Sequence, residues 1–453
     1  MAYKDLYEFL ERLEREGELV KVKQEIDPKF EVSALFKEFG NRNGPVALIE
    51  KVKGYDVPIV GNLMGSKRRL ALALETTEEK FIGEYEKRLG KGIPPVKSKE
   101  APVKEVICKG DEVDILRDIP VPTLSEGDVS PYINGGIVFL KDPVNGRRSM
   151  GIHRLQVKGR NKLAVYLSEG SVISAKILND AENAQRAAEV AIALGVEPAI
   201  LIASISAAPI VPDKMQLAGS LRGEAVEVVK GETVDIEVPA RAMFILEGKI
   251  PPGVRELNGP FGESSGYYTS VQTPVTELTA LTYRKKPMLS IIEPFSPDDL
   301  LFSNIIFGRQ MYGALHAMFP CLKEAVLWGE HALFVMSVRK ENEWDTRHLL
   351  NLALTLFSLV KFAIVVDDDD VDVHNMNEVM WALAGRFRPE RDLVQIHGVL
   401  GDVLDPSLEG AKTGSKLGFD ATKPLERAEL YRRVDVPQES KGKVQEILKG
   451  LGF

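Results

Sequence analysis

The sequence predicts a mixed α+β and α/β chain in three parts: an N-terminal α/β unit over 1–95, a strand-rich middle over 96–284, and an α/β unit over 285–453. Three observations predict this. A chain of 453 residues can bury two or three cores. The basic, Pro-rich connector Lys91-Gly92-Ile93-Pro94-Pro95-Val96-Lys97 breaks the pattern near residue 95. Beyond about Lys285, successive strands give way to strands separated by helical stretches.

In the first part, Leu6, Phe9, Leu10 and Leu13 share one helix face, and Gly17 is the stop. Leu19, Val20 and Val22 then predict a strand; 47–49 and 58–62 predict two more, and a helical pattern over 78–89 closes the unit. In the middle part, apolar runs at 137–140 and 149–157 flank Asp142-Pro143-Val144-Asn145-Gly146, whose Asn-Gly pair predicts a hairpin. Gly159-Arg160-Asn161 turns the chain into a strand over 163–167. A helix is expected from about 181 to 194, with Asp180 as N-cap and Gly195 just past its end. Residues 199–205 read as a buried strand, and Val234, Ile236 and Val238 as a half-exposed one. Antiparallel strands with one inserted helix predict a barrel-like or sandwich core. In the last part, apolar runs at 288–292, 333–336 and 362–366 alternate with helical patterns at 305–318 and 346–359, so a mostly parallel layer is expected. The charged, partly helical tail from Leu425 to Phe453 is a candidate docking surface for a partner subunit.

Several function classes are disfavoured. A net charge of −8 gives no reason to propose nucleic acid or an anionic membrane as a partner. Cys108 and Cys321 lie far apart without a CxxC pair, which argues against a disulfide scaffold or zinc site and fits a reducing cytoplasm. The first residues lack the apolar core of a signal peptide, and no apolar run is long enough to span a bilayer. There is no GxSxG elbow and no GxGxxG after a strand, so neither a serine hydrolase nor a Rossmann site is supported. The histidines form no HExxH or HxH pair. The run Asp367-Asp368-Asp369-Asp370, with Asp372 and His374, is the obvious metal candidate by eye, yet a solvated loop after a buried strand explains it better and is the reading kept. Thr413-Gly414-Ser415-Lys416-Leu417-Gly418 lacks Walker spacing, but its lysine is a candidate point charge for a cofactor phosphate.

Two distant stretches carry the chemistry. Ser149-Met150-Gly151-Ile152-His153-Arg154-Leu155-Gln156 reads as a strand, with Arg154 and Gln156 on one face and His153 on the other. Asn258-Gly259-Pro260-Phe261-Gly262-Glu263 reads as a Gly/Pro-punctuated loop bearing one carboxylate. An arginine among apolar neighbours needs an anionic partner. The pair is either a structural ion pair, or an arginine that holds a substrate carboxylate beside an acid that moves a proton.

These stretches, with Pro131-Tyr132-Ile133-Asn134-Gly135-Gly136, Ala218-Gly219-Ser220-Leu221-Arg222-Gly223, Leu246-Glu247-Gly248 and Gly414-Ser415-Lys416-Leu417-Gly418-Phe419-Asp420, resemble the UbiD-type carboxylyases in the same order along nearly the whole chain. The resemblance implies a central split β-barrel that binds prenylated FMN, or FMN, and reversible decarboxylation of an α,β-unsaturated or aromatic acid. It implies a homodimer or homohexamer and a flavin prenyltransferase that supplies the cofactor. It gives Arg154 to the substrate carboxylate, Glu263 to proton transfer and Asn258 to the same catalytic network. Gly151, Ile152, His153, Arg154, Gln156, Pro209, Lys214 and Lys416 fall to cofactor binding.

Three positions depart from the family pattern. Ser149 stands where an Asn usually ligates a divalent metal such as Mn, Lys214 stands near a usual Glu ligand, and Asn258 replaces a Glu. Asp213 and Glu256 are candidate substitutes for the lost metal ligands. Charge counting gives the alternative that Lys214, helped by Lys416, replaces the metal at the cofactor phosphate. A non-catalytic flavin-binding or subunit-interaction protein on the same fold is the competing class.

Overall fold

The computed structural model describes residues 3–90, 92–142, 144–167, 172–206, 213–329 and 332–451. The chain divides into two compact units, 1–310 with 404–406, and 311–403 with 407–453.

The first unit begins with the expected helix, Leu6–Arg15, capped by Asp5 and burying Leu6, Phe9, Leu10 and Leu13. Strand Leu19–Ile26 pairs in parallel with Val46–Val52, and helix Glu31–Asn41 lies between them in sequence. The sequence analysis missed that helix: Phe30 occupies its N-cap without a side-chain bond, and Gly40 sits inside it. Ile59–Gly61 and Leu289–Ser290 complete a four-stranded sheet.

Six antiparallel strands form a closed ring in the order Tyr132–Lys141, Arg148–Gly159, Lys162–Val165, Tyr268–Tyr283, Phe244–Ile250 and Ala188–Leu194. This is the barrel the sequence predicted, and its first hairpin closes Lys141 on Arg148 around the Asn-Gly turn. The long strand Tyr268–Tyr283 pairs through its first half with Arg255–Gly262. The core is continuous from the N-terminal sheet into the barrel.

Three expected elements change type: the stretch expected as a loop from Asn258 runs in strand Arg255–Gly262 as far as Gly262, and two others exchange helix and strand. The helix expected over 181–194 is instead helix Val172–Asn183 followed by barrel strand Ala188–Leu194. Val190 to Leu194 are all buried, so the strand shows no alternation to distinguish it from helix. The strand expected over 199–205 is helix Pro198–Ile205. It too is buried all round, and Glu197 as N-cap with Pro198 in the first turn was the signal available.

The second unit holds a five-stranded sheet in the order Leu322–Trp328, Leu333–Val338, Phe362–Asp367, Thr413–Asp420, Leu393–Leu400. Its inner pairs are parallel and its outer pairs antiparallel, so the layer is mixed rather than mostly parallel. The acidic run ends the central strand. Asp367 and Asp370 pair with Arg386, Asp369 with Lys423, and Asp368 with Arg339, so the carboxylates serve an ion-pair network. The tail forms helix Gln438–Gly450, on which Val444, Ile447 and Leu448 are exposed. No helix among the described residues is long and apolar enough to cross a membrane.

Barrel closure depends on close approach at Gly248, where an added Cβ would lie 2.5 Å from the Glu277 carbonyl oxygen and 2.6 Å from Thr276 Cγ2. Backbone cannot yield as a side chain can. Gly248→Ala should cost about 1–3 kcal/mol of stability, read as a lowered midpoint in thermal or urea unfolding. An unchanged midpoint would contradict this packing.

Candidate active site

Arg154 rises from the middle of strand Arg148–Gly159, and Glu263 is the first residue past strand Arg255–Gly262. The two are 109 positions apart in sequence, yet they meet as a buried ion pair between Arg154 Nη1 and Glu263 Oε1. Glu263 sits in a tight turn: its N–H donates to the Tyr267 carbonyl at 2.9 Å, and Gly266 N–H returns to the Glu263 carbonyl at 2.9 Å. Thr269, directly across from Phe261 in the register, completes the cluster. Its hydroxyl accepts from Arg154 Nη1 at 3.1 Å and donates to Glu263 Oε1 at 2.6 Å.

Aromatic rings close over the guanidinium. Tyr166 and Phe261 lie 4.6 and 4.9 Å from its carbon, a favourable cation–π arrangement when water is excluded. Burial lowers the Arg154 pKa to about 10. Its Nε and Nη2 are buried and have no hydrogen-bond partner. That side-on edge is the two-donor fork that fits a carboxylate.

Asn258 and Gln156 border this cluster. Asn258 Nδ2 donates to the Ala164 carbonyl and to Thr273 Oγ1, both at 3.3 Å, while its Oδ1 is buried without a partner. Gln156 donates to Ser130 Oγ at 3.0 Å and accepts the Gly259 N–H at 3.4 Å.

A second cluster gathers the other expected residues of this unit. Lys214 opens helix Lys214–Arg222, donates to the Ser204 carbonyl, and has no carboxylate partner among the described residues. Burial alone drives its pKa down to about 8. Burial and then the Lys214 charge hold the neighbouring His153 down at about 4. Gly151 leaves space beside it, since a Cβ there would lie 3.0 Å from His153 Nε2. Ile152 packs against the core. Ser149 shares a hydrogen bond of 2.5 Å with Ser174.

The expected metal substitutes are already engaged. Asp213 caps its helix through Met215 N–H at 2.8 Å and pairs with Arg148 at 2.5 Å, and Glu256 pairs with Lys162. No group of three metal-ligating side chains occurs among the described residues. Lys416 belongs to the other compact unit, where its ammonium donates to the carbonyls of Phe357 and Ser358 at 2.7 and 3.2 Å. Pro209 lies outside the described residues. Arg309 pairs with Glu86 at 2.5 Å. Sequence reasoning missed Thr269 and Tyr166; only the strand register brings them to Arg154.

The comparisons with known proteins agree with one another. The chain matches the N-terminal domain of the UbiD family, described as 3-octaprenyl-4-hydroxybenzoate carboxy-lyase, over 10–89, its Rift-related domain over 95–297 and its C-terminal domain over 310–421. It is similar to the UbiD-class enzyme HmfF from Pelotomaculum thermopropionicum in complex with FMN, at 36% identity and a TM-score of 0.89 over 96% of this chain and 98% of that one. An evolved dimeric form of HmfF with prFMN matches at 34% identity and a TM-score of 0.86, over 97% and 98%. Vanillic acid decarboxylase from Sedimentibacter hydroxybenzoicus, in its closed form, matches at 28% identity and a TM-score of 0.88, over 99% and 100%.

His153 is depressed from its ordinary value of 6.5 to about 4. Between those values the unfolded chain binds a proton that the folded chain does not. Its contribution to stability is therefore present above about pH 6.5 and is lost as pH falls toward 4. His153→Gln should lessen the acid destabilisation across that window by up to roughly 3 kcal/mol, measured as the difference in urea-unfolding stability between its two ends. An unaltered acid response would show that His153 is not held neutral.

Proposed function

Because the chain belongs to the UbiD family of carboxy-lyases, we propose that it reversibly decarboxylates an α,β-unsaturated or aromatic carboxylic acid with prenylated FMN as cofactor. The observation that carries this reading is the bare Nε–Nη2 edge of Arg154 beside Glu263. A buried cation with two unpaired donors is costly unless an anion completes it. A substrate carboxylate supplies that anion in the geometry the fork requires.

The residues then divide the work. Arg154 binds and orients the substrate carboxylate, held in place by Glu263 and Thr269 at one end and by two rings over its faces. The arriving carboxylate sets a second negative charge beside Glu263. Two carboxylates sharing one cation favour retention of a proton between them. Glu263 can therefore carry the proton that replaces CO2 on the substrate carbon, and take it back in the reverse direction. Prenylated FMN, when bound, supplies the electron sink for the charge left as CO2 departs. Asn258 adds no charge to the pair, and its free Oδ1 is an acceptor within the same buried region.

The second cluster suits the cofactor. Lys214 is a desolvated cation without a carboxylate partner among the described residues, and its charge acts on the neighbouring His153. We assign Lys214 to the flavin phosphate, in the place of the divalent ion that Ser149 and the engaged Asp213 do not hold. We also infer that a flavin prenyltransferase supplies the modified cofactor, and that the protein works as a homodimer or homohexamer.

Two measurements test this. Glu263→Gln, co-expressed with a flavin prenyltransferase and assayed on a panel of aromatic and α,β-unsaturated acids beginning with vanillic acid, should keep its flavin spectrum and lose decarboxylation and solvent-proton exchange at the product carbon. Near-normal turnover would refute the role of Glu263. FMN affinity, read by flavin fluorescence, should be the same in chelator and in Mn, and Lys214→Met should weaken it at least about tenfold. A strong dependence on Mn in the parent protein would refute the assignment of Lys214.

A further inference from the structure

The loop 124–128 does not figure in any catalytic reading of the sequence, yet it holds the turn that bears Glu263. The Asp128 carboxylate divides its two oxygens. Oδ1 accepts the N–H of Gly262, the residue next to Glu263, at 3.0 Å. Oδ2 accepts the N–H of Ser125 at 2.8 Å and of Leu124 at 3.2 Å within its own loop. Gly127 donates its N–H to the Tyr268 hydroxyl at 3.1 Å, at the far side of the same turn. Two glycines permit this contact. A Cβ at Gly127 would lie 2.6 Å from the Tyr268 ring, and a Cβ at Gly262 would lie 2.8 Å from Ser125 Oγ.

The loop is anchored outside the barrel. Thr123 donates to the Pro28 carbonyl at 3.2 Å and accepts the Phe30 N–H at 2.9 Å, in the segment that leads into helix Glu31–Asn41. The Glu263 turn is therefore gripped by a strut whose own footing is the N-terminal segment. The Asp128 carboxylate makes that grip, with three backbone N–H groups around it. Burial raises its pKa and those three N–H groups oppose the rise.

We propose that Asp128 is a positioning residue for proton transfer: its bond to the Gly262 N–H fixes the turn so that the Glu263 carboxyl stays at Arg154 and Thr269. This rests on the reading of Glu263 as the proton-transfer residue. It extends that reading to a residue that reaches Glu263 through the backbone of Gly262. Asparagine at 128 would keep the size but remove the charge, and its amide would oppose either the Gly262 N–H or those of Ser125 and Leu124. A displacement of the acid by about 1 Å can cost about a hundredfold in rate. Arg154 would stay in place, so substrate binding would be spared.

The test uses the full holoenzyme and the acid in the panel above that it turns over fastest. Asp128→Asn should lower kcat by about tenfold to a hundredfold, leave KM within about threefold, leave flavin affinity unchanged, and raise the solvent deuterium isotope effect on kcat as proton delivery becomes slow. Tyr268→Phe, which removes the exposed acceptor for Gly127, should move the same quantities in the same direction by less, and it decides the matter if Asp128→Asn does not fold. Unchanged kcat, or a loss of kcat matched by a loss of flavin binding with an unchanged isotope effect, would overturn the proposal. Glu263→Gln run in parallel separates the two ideas. If it retains turnover, the acid reading fails. If it is dead while Asp128→Asn is normal, only the positioning role fails.

Discussion

The cost of burying the Arg154 guanidinium is the constraint around which this region of the first unit is arranged. A cation out of water must find its donors acceptors or depress its own charge. Here one nitrogen is satisfied by Glu263 and Thr269, the rings of Tyr166 and Phe261 pack against the guanidinium, and the remaining edge is bare. Each contact fixes the ring plane, so the bare edge points in a single direction. The site is an ion pair left incomplete on one side, with a two-donor edge of the geometry that a carboxylate fits.

The closed barrel is what makes such an arrangement affordable. Arg154 comes from one strand, Tyr166 from just past its neighbour, and Phe261, Glu263 and Thr269 from a hairpin more than a hundred residues later. Ring closure between Phe244–Ile250 and Tyr268–Tyr283 fixes the register of the long strand that carries Thr269. A slip of one residue in that strand would turn Thr269 to the other face and strip the pair of its bridging hydroxyl. Precision in the site thus comes from backbone ladders, which are stiff, rather than from side-chain packing, which can relax.

Much of this was legible in the sequence, and the exceptions share a cause. Local signals worked where they were local: the heptad-like face of Leu6, Phe9, Leu10 and Leu13, and the Asn145-Gly146 turn. Arg154 and Glu263 stood out because a lone charge among apolar neighbours needs a partner. Helix and strand were exchanged at 188–194 and 198–205, segments so deeply buried that no polar alternation marks a face. Thr269, Tyr166 and Asp128 have no signature of their own. Their roles exist only through strand register and a loop contact that no window of sequence contains. The aspartate run is the opposite case: its charges are conspicuous in sequence, a metal site is not the reading kept, and in space they are neutralised by Arg386, Lys423 and Arg339.

Bare donors do not by themselves mark a site, and Arg69 shows why. It too is buried, its pKa is lowered by burial, and its Nε and Nη2 lack partners. Its Nη1 serves Glu18 at 3.0 Å and the Gly44 carbonyl at 3.1 Å. Yet its open edge faces backbone: a Cβ at Gly65 would already lie 3.1 Å from Nη2. Nearby Asp298 spends its oxygens on the N–H groups of Asn62 and Met64 at 3.1 and 2.5 Å. That cluster ties helix ends and strand ends together, and its acid, Glu18, lies between two cations, Arg69 at 3.0 Å and Arg68 at 3.3 Å. At Arg154 the acid stands on a turn, bridged by a hydroxyl and steadied from outside by Asp128. The difference lies in what holds the carboxyl. A structural ion pair needs only proximity, whereas an acid that must meet a carbon atom needs its position fixed from more than one side.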